Sequence, residues 1–328
     1  MKHIPLHPSL CSLSCRLGRL AIAALGLTAG CDPQPGPDDE LDPSGETDGD
    51  DLPVGLDVDD DFLLPSERPN AGIGALDGNS VALGSCTGFV EVDGQLRDVA
   101  PYTGGTWGIG WAPPFPGAHG YKIFERVGED WYLRPGAAVR IASASDGTPW
   151  VVNDAGSIYK WSGAWNLQAG LGRDIAVADS NDVWVIGYNK KNPADKGYGV
   201  YYLDGTQWQL TNGRGTRIAV EPDGDSVWVV NSEQSLYRAE PSGTPTLSWV
   251  KQSLTAVDVA VTADGTPWIV GGAHHPDGYE VYYKGNAGWM LVDQTNLHGV
   301  SIGASPEGVV WVLGESGAIW VLDGALQC

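Results

Sequence analysis

A tryptophan frame recurs along this chain, and the repeat limits the possible folds more than any other feature. In each copy the tryptophan follows a turn and precedes two small or apolar residues and then Gly or Asn. The copies are 34 to 44 residues apart, at Trp107, Trp150, Trp184, Trp228, Trp268 and Trp311. Periods of this length indicate an array in which each repeat is one small supersecondary unit.

Three further strand signals accompany each frame. A run of small residues precedes it, as in "DIAVA", and an aromatic run follows it, as in "VYYLD". A fourth run starts with a tryptophan, at Trp131, Trp165, Trp208, Trp249 and Trp289. Short apolar runs between Asp-Gly and Ser-Gly turns are typical of β-strands, and four strands make one propeller blade. The sequence therefore predicts an all-β, six-bladed β-propeller over residues 84–328.

The sixth repeat lacks a fourth strand in the expected place. In four other repeats the fourth-strand tryptophan lies ten residues before an apolar position of the next first strand, as with Trp208 and Ile218. Ten residues before Val99 is Phe89. We therefore expect "CTGFVEVDG" to supply the outer strand of the sixth blade. Such strand exchange between the termini would close the ring and pair the open sheet edges.

The second repeat resembles a known family. Residues 146–170, "DGTPWVVNDAGSIYKWSGAWNLQAG", are similar to the tectonin repeat, which has an Asp-Gly turn, a Trp strand, an Asn, Gly-x-Ile-Tyr and an outer Trp. The resemblance is looser over the other five repeats. It implies a six-bladed propeller with lectin-like glycan binding. The family Asn matches only Asn153 and Asn231, so a site that uses it is present in at most two blades.

The connections between second and third strands alternate in length. The long ones are "WAPPFPGAHG", "YNKKNPADKG" and "GAHHPDG", and a tyrosine follows each. The alternation predicts three double blades and one face with three protruding loops. Trp111, Tyr188, His274 and His275 break the repeat there, and we expect them to contact a ligand. The two histidines could instead hold a metal, but they lack a third ligand at suitable spacing, which favours plain loop surface.

The first strands repeat this alternation in their charges. The residue before the apolar position is in turn Asp98, Arg140, Asp174, Arg217, Asp258 and Ser301. First strands line the channel of a propeller, and period-2 alternation turns these side chains away from the neighbouring apolar residue. Two interpretations follow, a ring of ion pairs between blades or a polar seat for a ligand. The alternation of opposite charges favours the ion pairs.

Residues 1–30 have the layout of an export signal. Lys2, Arg16 and Arg19 precede the apolar run "LAIAALGLTAGC", which is too short to span a bilayer stably. The closing "LTAGC" resembles the bacterial lipobox, which implies that Cys31 is lipidated and becomes the mature N-terminus. Thr28 stands where that pattern prefers Leu, and a plain signal peptide cut nearby is the alternative. The resemblance implies a lipid-anchored protein of the bacterial cell envelope, periplasmic or on the outer surface.

An acidic segment follows over residues 31–66. Its stretch from 32 to 61 holds thirteen acidic residues and no basic one, with many Pro and Gly. This composition predicts a disordered, self-repelling tether, and residues 67–83 then lead into the propeller. Calcium binding by the carboxylates is an alternative, but no EF-hand spacing is present. The net charge of −22 argues against a nucleic-acid partner, which needs a basic footprint.

The five cysteines reduce to one pair. Cys11 and Cys15 leave with the signal and Cys31 takes lipid, so Cys86 and Cys328 remain. In an exported protein an isolated pair is most simply a disulfide. Strand exchange would bring the two residues to the point where the sixth blade lacks its last turn.

No catalytic motif is visible. The sequence has no nucleophile elbow, Gly-rich phosphate loop or metal-binding spacing of His and carboxylates. We expect a monomeric, non-enzymatic binding module without cofactor or metal. The tectonin resemblance implies a glycan or cell-surface polysaccharide as partner. The alternative is a membrane-tethered scaffold for protein–protein interaction, because fold alone does not fix function.

Overall fold

The computed structural model describes residues 88–179, 182–241, 245–322 and 324, so Cys31, Cys86, Cys328 and the predicted tether lie outside the described residues. These residues form β-strands and no helix, and hence no helix that could cross a membrane. The all-β prediction is confirmed for this part of the chain.

The described residues form 22 strands. The first eleven strands are β1 Val90–Val92, β2 Leu96–Tyr102, β3 Gly105–Gly110, β4 Tyr121–Val127, β5 Asp130–Ala138, β6 Arg140–Ser143, β7 Pro149–Val152, β8 Ser157–Trp161, β9 Trp165–Val177, β10 Val183–Gly187 and β11 Tyr198–Asp204. The others are β12 Gln207–Gly215, β13 Arg217–Val220, β14 Val227–Val230, β15 Ser235–Ala239, β16 Val250–Val261, β17 Pro267–His275, β18 Gly278–Gly285, β19 Gly288–Leu291, β20 Ser301–Ala304, β21 Val310–Leu313 and β22 Ile319–Leu322.

The strands form four antiparallel sheets. Two sheets have four strands, in the orders β2-β3-β4-β5 and β20-β21-β22-β1. Two have seven strands in simple chain order, β6 to β12 and β13 to β19. Each seven-stranded sheet contains two four-strand units that share one long strand. In chain order we number the units 1 to 6: β2–β5, β6–β9, β9–β12, β13–β16, β16–β19, and β20–β22 with β1.

The shared strands β9 and β16 serve two units each. The first half of β9 is the outer strand of unit 2, where Trp165 pairs with Trp161. Its second half is the inner strand of unit 3, where Asp174 pairs with Ile186. A change of partner along one continuous strand connects consecutive units without any intervening loop.

The outer strand of unit 6 comes from the other end of the described chain. β1 pairs antiparallel with β22, with Val90 opposite Val321. Phe89 is buried and meets the Trp268 ring edge-on, with ring centroids 6.2 Å apart. The outer tryptophans of units 1 and 5 make the same edge-on contact with the preceding unit, Trp131 with Trp311 at 6.1 Å and Trp289 with Trp228 at 6.5 Å. Phe89 therefore takes the place of an outer tryptophan, as its spacing predicts.

The core consists of six apolar clusters, each of which lies between two consecutive units. The frame tryptophans are in these clusters and are 2–6% exposed. One cluster joins unit 6 to unit 1, where Trp311 and Leu313 pack with Leu96 and Val99. Both faces of the second strands are buried, which explains their unbroken apolar runs.

Glycine residues in the outer strands make room for the tryptophan of the next unit. A Cβ added to Gly136 would lie 2.7 Å from the Trp165 indole nitrogen, and one added to Gly170 would lie 2.9 Å from Trp208. Both glycines have positive φ. The indoles donate hydrogen bonds to the same outer strands, from Trp165 to the Pro135 carbonyl and from Trp208 to the Ala169 carbonyl. These contacts fix the positions of units 2 and 3 against the units that precede them.

Candidate functional site: the inner ring and the loop face

The inner ring is a set of polar side chains around a cavity of about 110 Å³ between the first strands of all six units. It consists of Asp98, Arg140, Asp174, Arg217, Asp258 and Ser301. Each aspartate accepts a hydrogen bond from a backbone N–H of the next unit. The distances are 2.8 Å from Ile141 to Asp98, 2.8 Å from Ile218 to Asp174 and 3.1 Å from Ile302 to Asp258.

Two of the three aspartates face an arginine of the preceding unit. Arg140 Nε lies 3.6 Å from Asp174 Oδ1, and Arg217 Nε lies 4.0 Å from Asp258 Oδ1. The third aspartate, Asp98, instead accepts a hydrogen bond from the Ser301 hydroxyl at 3.3 Å. The ion-pair interpretation is therefore confirmed at two junctions, and the third has a neutral partner.

Burial dominates the protonation of this ring. It raises the pKa of Asp174 from 3.8 to about 7, although Arg217 and Arg140 oppose the change. Burial also raises the pKa of Asp98 and Asp258, and it lowers that of Arg217. The free energy needed to remove these carboxylates from water exceeds the attraction to the arginines at distances of 3.6 to 4.0 Å.

The loop face is formed by the connections 111–120, 188–197 and 272–278 with the short turns between them. Each long connection of an odd-numbered unit contacts the short turn of the next unit. The three contacts are His119 Nδ1 with Asp154 Oδ1 at 2.8 Å, the Lys196–Glu233 ion pair, and the Ser316 N–H with Asp277 Oδ1 at 2.8 Å. These contacts join unit 1 to unit 2, unit 3 to unit 4 and unit 5 to unit 6 on this face.

Trp111 and Tyr188 occupy equivalent places on the loop face, each beside an arginine. The Arg97 guanidinium lies 4.1 Å from the Trp111 ring centroid and 4.3 Å from that of Tyr121. The Arg173 guanidinium lies 4.9 Å from Tyr188 and 4.2 Å from Tyr198, and its Nε donates to the Tyr188 carbonyl. Cation–π contacts of this kind hold both aromatic rings in place.

The turn of the preceding unit accommodates each of these rings. A Cβ on Gly317 would lie 3.1 Å from Trp111, and one on Gly156 would meet Tyr188. Unit 5 has Gly272 at the aromatic position, and the preceding turn has Gln234, with φ of 60°, in place of the glycine. The threefold pattern of the loop face is therefore broken between units 4 and 5.

His274 and His275 are not in a loop, so the prediction of a protruding loop is wrong for this segment. They belong to β17, which pairs with β18 as far as His275 opposite Gly278. A register shift between Gly271 and His274 lets the hairpin continue past the position where the other long connections leave the sheet. The His274 ring packs edge-on against Tyr279, at 4.8 Å between centroids.

His275 stacks on a histidine that the sequence reasoning missed. The rings of His275 and His298 are 4.0 Å apart and nearly parallel, and Glu280 lies 3.8 Å from His275 Nε2. Burial and the neighbouring His275 lower the pKa of His298. Among the described residues no group of three His, Cys, Asp or Glu side chains is arranged to hold a metal ion.

Asn153 and Asn231 are buried and form turns. The Asn153 Oδ1 accepts a hydrogen bond from the Ser157 N–H at 2.8 Å. The Asn231 Oδ1 accepts two, from Glu233 and Ser235, both at 2.9 Å. These bonds close the short turns of units 2 and 4, and ligand contact by the two asparagines stays a prediction.

Sequence reasoning also missed Arg97 and Arg173, which contact the aromatic rings of the loop face. A signal for them was present, because each stands directly before a ring aspartate, in "RDV" and "RDI", and the equivalent residue of unit 5 is Val257. The arginine that contacts each pair of aromatic rings is therefore the direct chain neighbour of an aspartate of the inner ring. Alternation in a strand places the two neighbours on opposite faces.

Comparisons with known proteins identify the fold. No protein-family model matches the chain. Tectonin-2 of Physarum polycephalum is 32% identical over 85 residues, which are 26% of this chain and 22% of that protein. The chain thus spans about a fifth of the length of this curated relative. A structure titled "YCF48 bound to D1 peptide" has 14% identity with this chain and a TM-score of 0.44. The match covers 76% of this chain and 98% of that chain.

The β-propeller domain of Cps50 (Swd1) from Myceliophteria thermophila superimposes with a TM-score of 0.52 at 10% identity. The match covers 73% of this chain and the whole of that domain. The fold is a β-propeller. The inner ring consequently lies where the first strands of the propeller meet, and the loop face is one end of these strands.

Proposed function

We propose that this propeller is a non-catalytic, lectin-like module that binds a glycan or cell-surface polysaccharide through its loop face. The observation that carries the proposal is the 32% identity with Tectonin-2 over 85 residues. The resemblance of residues 146–170 to a tectonin repeat points the same way.

The chemistry of the loop face supports this proposal. Sugar sites combine flat aromatic surface with a few oriented polar groups. The loop face has partly exposed rings at Trp111 and Tyr188 and a 62% exposed Phe115. It also has His119, whose side chain is 70% exposed and bonded to Asp154. Because the arginines fix Trp111 and Tyr188, these rings lose little conformational entropy when a ligand binds.

A glycan array with the full-length protein tests the proposal. We expect binding confined to one class of sugar, and a loss of at least about tenfold in affinity for Trp111→Ala and Tyr188→Ala, as for removal of an aromatic hot spot. Trp161→Ala is the matched control, because Trp161 is a partly exposed aromatic at the opposite end of its strand. Retained binding in both loop-face variants would contradict the site. An array without any binding would contradict the lectin function.

The rival function, a protein-interaction scaffold, is supported by the outer strands. Val90, Leu133, Leu167 and Val250 on these strands are 60–66% exposed. Unpaired outer edges with apolar side chains are suited to strand addition by a partner. An empty glycan array together with a partner whose binding is lost in Leu133→Lys and Leu167→Lys would favour this function.

We also infer that units 1 to 6 are six blades in a closed ring, with β1 exchanged into the last blade. The contact of unit 6 with unit 1 and the pairing of β1 with β22 support this closure.

For the region before residue 84, we propose a lipid anchor at Cys31 and an acidic tether at the bacterial cell envelope. Cys31→Ser should release the protein from membranes and leave the propeller folded, and an unchanged membrane fraction would contradict the anchor.

A further inference from the structure

The inner ring contains the same subsite three times, and each copy begins with an aspartate held by the next unit. Asp98, Asp174 and Asp258 all accept a backbone N–H through Oδ2, at 2.8 to 3.1 Å. All three are buried, with 6–9% exposure. In each copy Oδ1 faces the preceding even-numbered unit, and that of Asp258 also accepts a hydrogen bond from the Val259 N–H at 3.0 Å.

Two copies are completed by an arginine from that unit. The Arg140 Nη1 donates to the Val139 carbonyl at 3.0 Å, and Nε of the same group faces Asp174. The Arg217 Nη1 donates to the Thr216 carbonyl at 3.0 Å in the same way. Each guanidinium thus donates a hydrogen bond to the carbonyl of its preceding residue and approaches the Oδ1 of an aspartate to 3.6 or 4.0 Å.

The third copy has the acceptors but no guanidinium of its own. Ser301 stands at the arginine position and is 7% exposed. The Val300 carbonyl corresponds to those of Val139 and Thr216. The serine side chain is much shorter than an arginine, and the Asp98 of this copy lines the cavity together with Ile302 and Gly303 of unit 6. With every group ionised the ring holds three carboxylates and two guanidinium groups, one positive charge short of neutrality.

We propose that the third copy is a binding subsite for a guanidinium group from outside the chain, held between Asp98 Oδ1 and the Val300 carbonyl. The cavity of about 110 Å³ is large enough for several waters and therefore for a planar guanidinium with a short alkyl stem. Entry is open, because the side chains of Arg140 and Arg217 keep 16% and 23% of their surface exposed. The bound group completes the threefold ring and neutralises its charge. This subsite does not depend on glycan binding at the loop face.

Thermal unfolding of the full-length protein with methylguanidinium as probe tests the subsite. At pH 8 we expect a saturable rise in the melting temperature of about 2–4 °C over sodium chloride at equal ionic strength, because a ligand that binds only the folded state stabilises it. Asp98→Asn should remove the response. Since burial raises the pKa of Asp98, the response should decrease as the pH is lowered.

A built-in arginine provides the complementary test. Ser301→Arg supplies the missing group, so this variant should melt higher than the wild type without probe and should not respond to methylguanidinium. Ser301→Lys serves if the arginine variant does not fold. Ser253→Arg adds the same charge at an exposed position on β16 and should keep the full response. No probe-specific shift in the wild type, or an equal shift in Asp98→Asn, would overturn the proposal.

Discussion

Asp174 shows how burial and pairing compete at a single residue. The carboxylate has Arg140 at 3.6 Å and a backbone N–H at 2.8 Å, yet its pKa rises to about 7. The arginine that faces it also hydrogen-bonds a backbone carbonyl, so the ion pair lacks the short bidentate geometry that offsets desolvation.

The raised pKa of Asp174 predicts a pH-dependent stability. Between pH 3.8 and about 7 the folded state holds a proton that the unfolded state releases, so this group stabilises the fold at low pH and the contribution is lost as the pH rises through 7. Asp98 and Asp258 act in the same direction, and Arg140 and Arg217 limit the effect. Asp174→Asn should therefore show a smaller fall in free energy of unfolding from pH 5 to pH 8 than the wild type. Urea titrations at both pH values measure the free energy of unfolding. Asp146→Asn, which changes a carboxylate in an exposed turn, is the control. Equal slopes in both variants would show that Asp174 is ionised throughout.

Two glycines with nearly the same φ provide a matched test of the unit junctions. Gly170 has φ of 83° and meets Trp208, whereas Gly163 has φ of 82° and no atom within 4 Å of an added Cβ. Gly163→Ala should cost about 1–2 kcal/mol, the strain of a left-handed alanine. Gly170→Ala should cost about 1–3 kcal/mol more, because the methyl group displaces Trp208. Equal costs in denaturant unfolding would mean that the tryptophan moves aside freely.

At the scale of elements, β1 is held by one side chain as well as by its neighbour strand. The Gln294 amide accepts hydrogen bonds from the Gly88 and Phe89 N–H groups at 3.0 and 2.9 Å. It donates in return to the Phe89 carbonyl at 2.8 Å. Three bonds from one glutamine thus fix the start of a three-residue strand.

Replacement of this glutamine should loosen β1 before any other strand. Gln294→Leu should lower the free energy of unfolding by about 1–3 kcal/mol, because buried backbone groups lose their partners, and should speed hydrogen exchange at Val90–Val92. Gln168→Leu removes a partly exposed glutamine whose hydrogen bond on another outer strand is open to solvent, and it should change neither quantity. Unchanged exchange in β1 would mean that pairing with β22 alone holds it.

The strands could be predicted from the sequence because the repeat fixes them. Ten-residue spacing located Phe89, and the burial of that ring follows from the position it shares with the outer tryptophans. Gln294 and His298 lie outside the repeated frames, and they find their partners only through tertiary contact. The strand position of His274 was missed because a register shift within a hairpin leaves no mark on loop length.

At the scale of the whole molecule, the pairing of β1 with β22 leads us to predict a disulfide between Cys86 and Cys328, which lie outside the described residues. Both thiols should be unreactive in the native protein until it is denatured and reduced. Cys328→Ser should keep the fold but lower stability by about 2–5 kcal/mol, as for loss of a bond that closes a long loop. Thiol titration and calorimetry check both points. Two freely reactive thiols would contradict the pairing.

The pairing of β1 with β22 also determines the order in which the strands can pair during synthesis. Gly88 and Gln294 are 206 positions apart, so the ribosome makes β1 long before any strand that receives it. Units 1 to 5 can form as they emerge, whereas β1, with its exposed Val90, must wait until the last three strands are complete. A chain stopped after β19 would therefore carry an unpaired β1 beside five finished units, ready to associate with the same edge of another nascent chain.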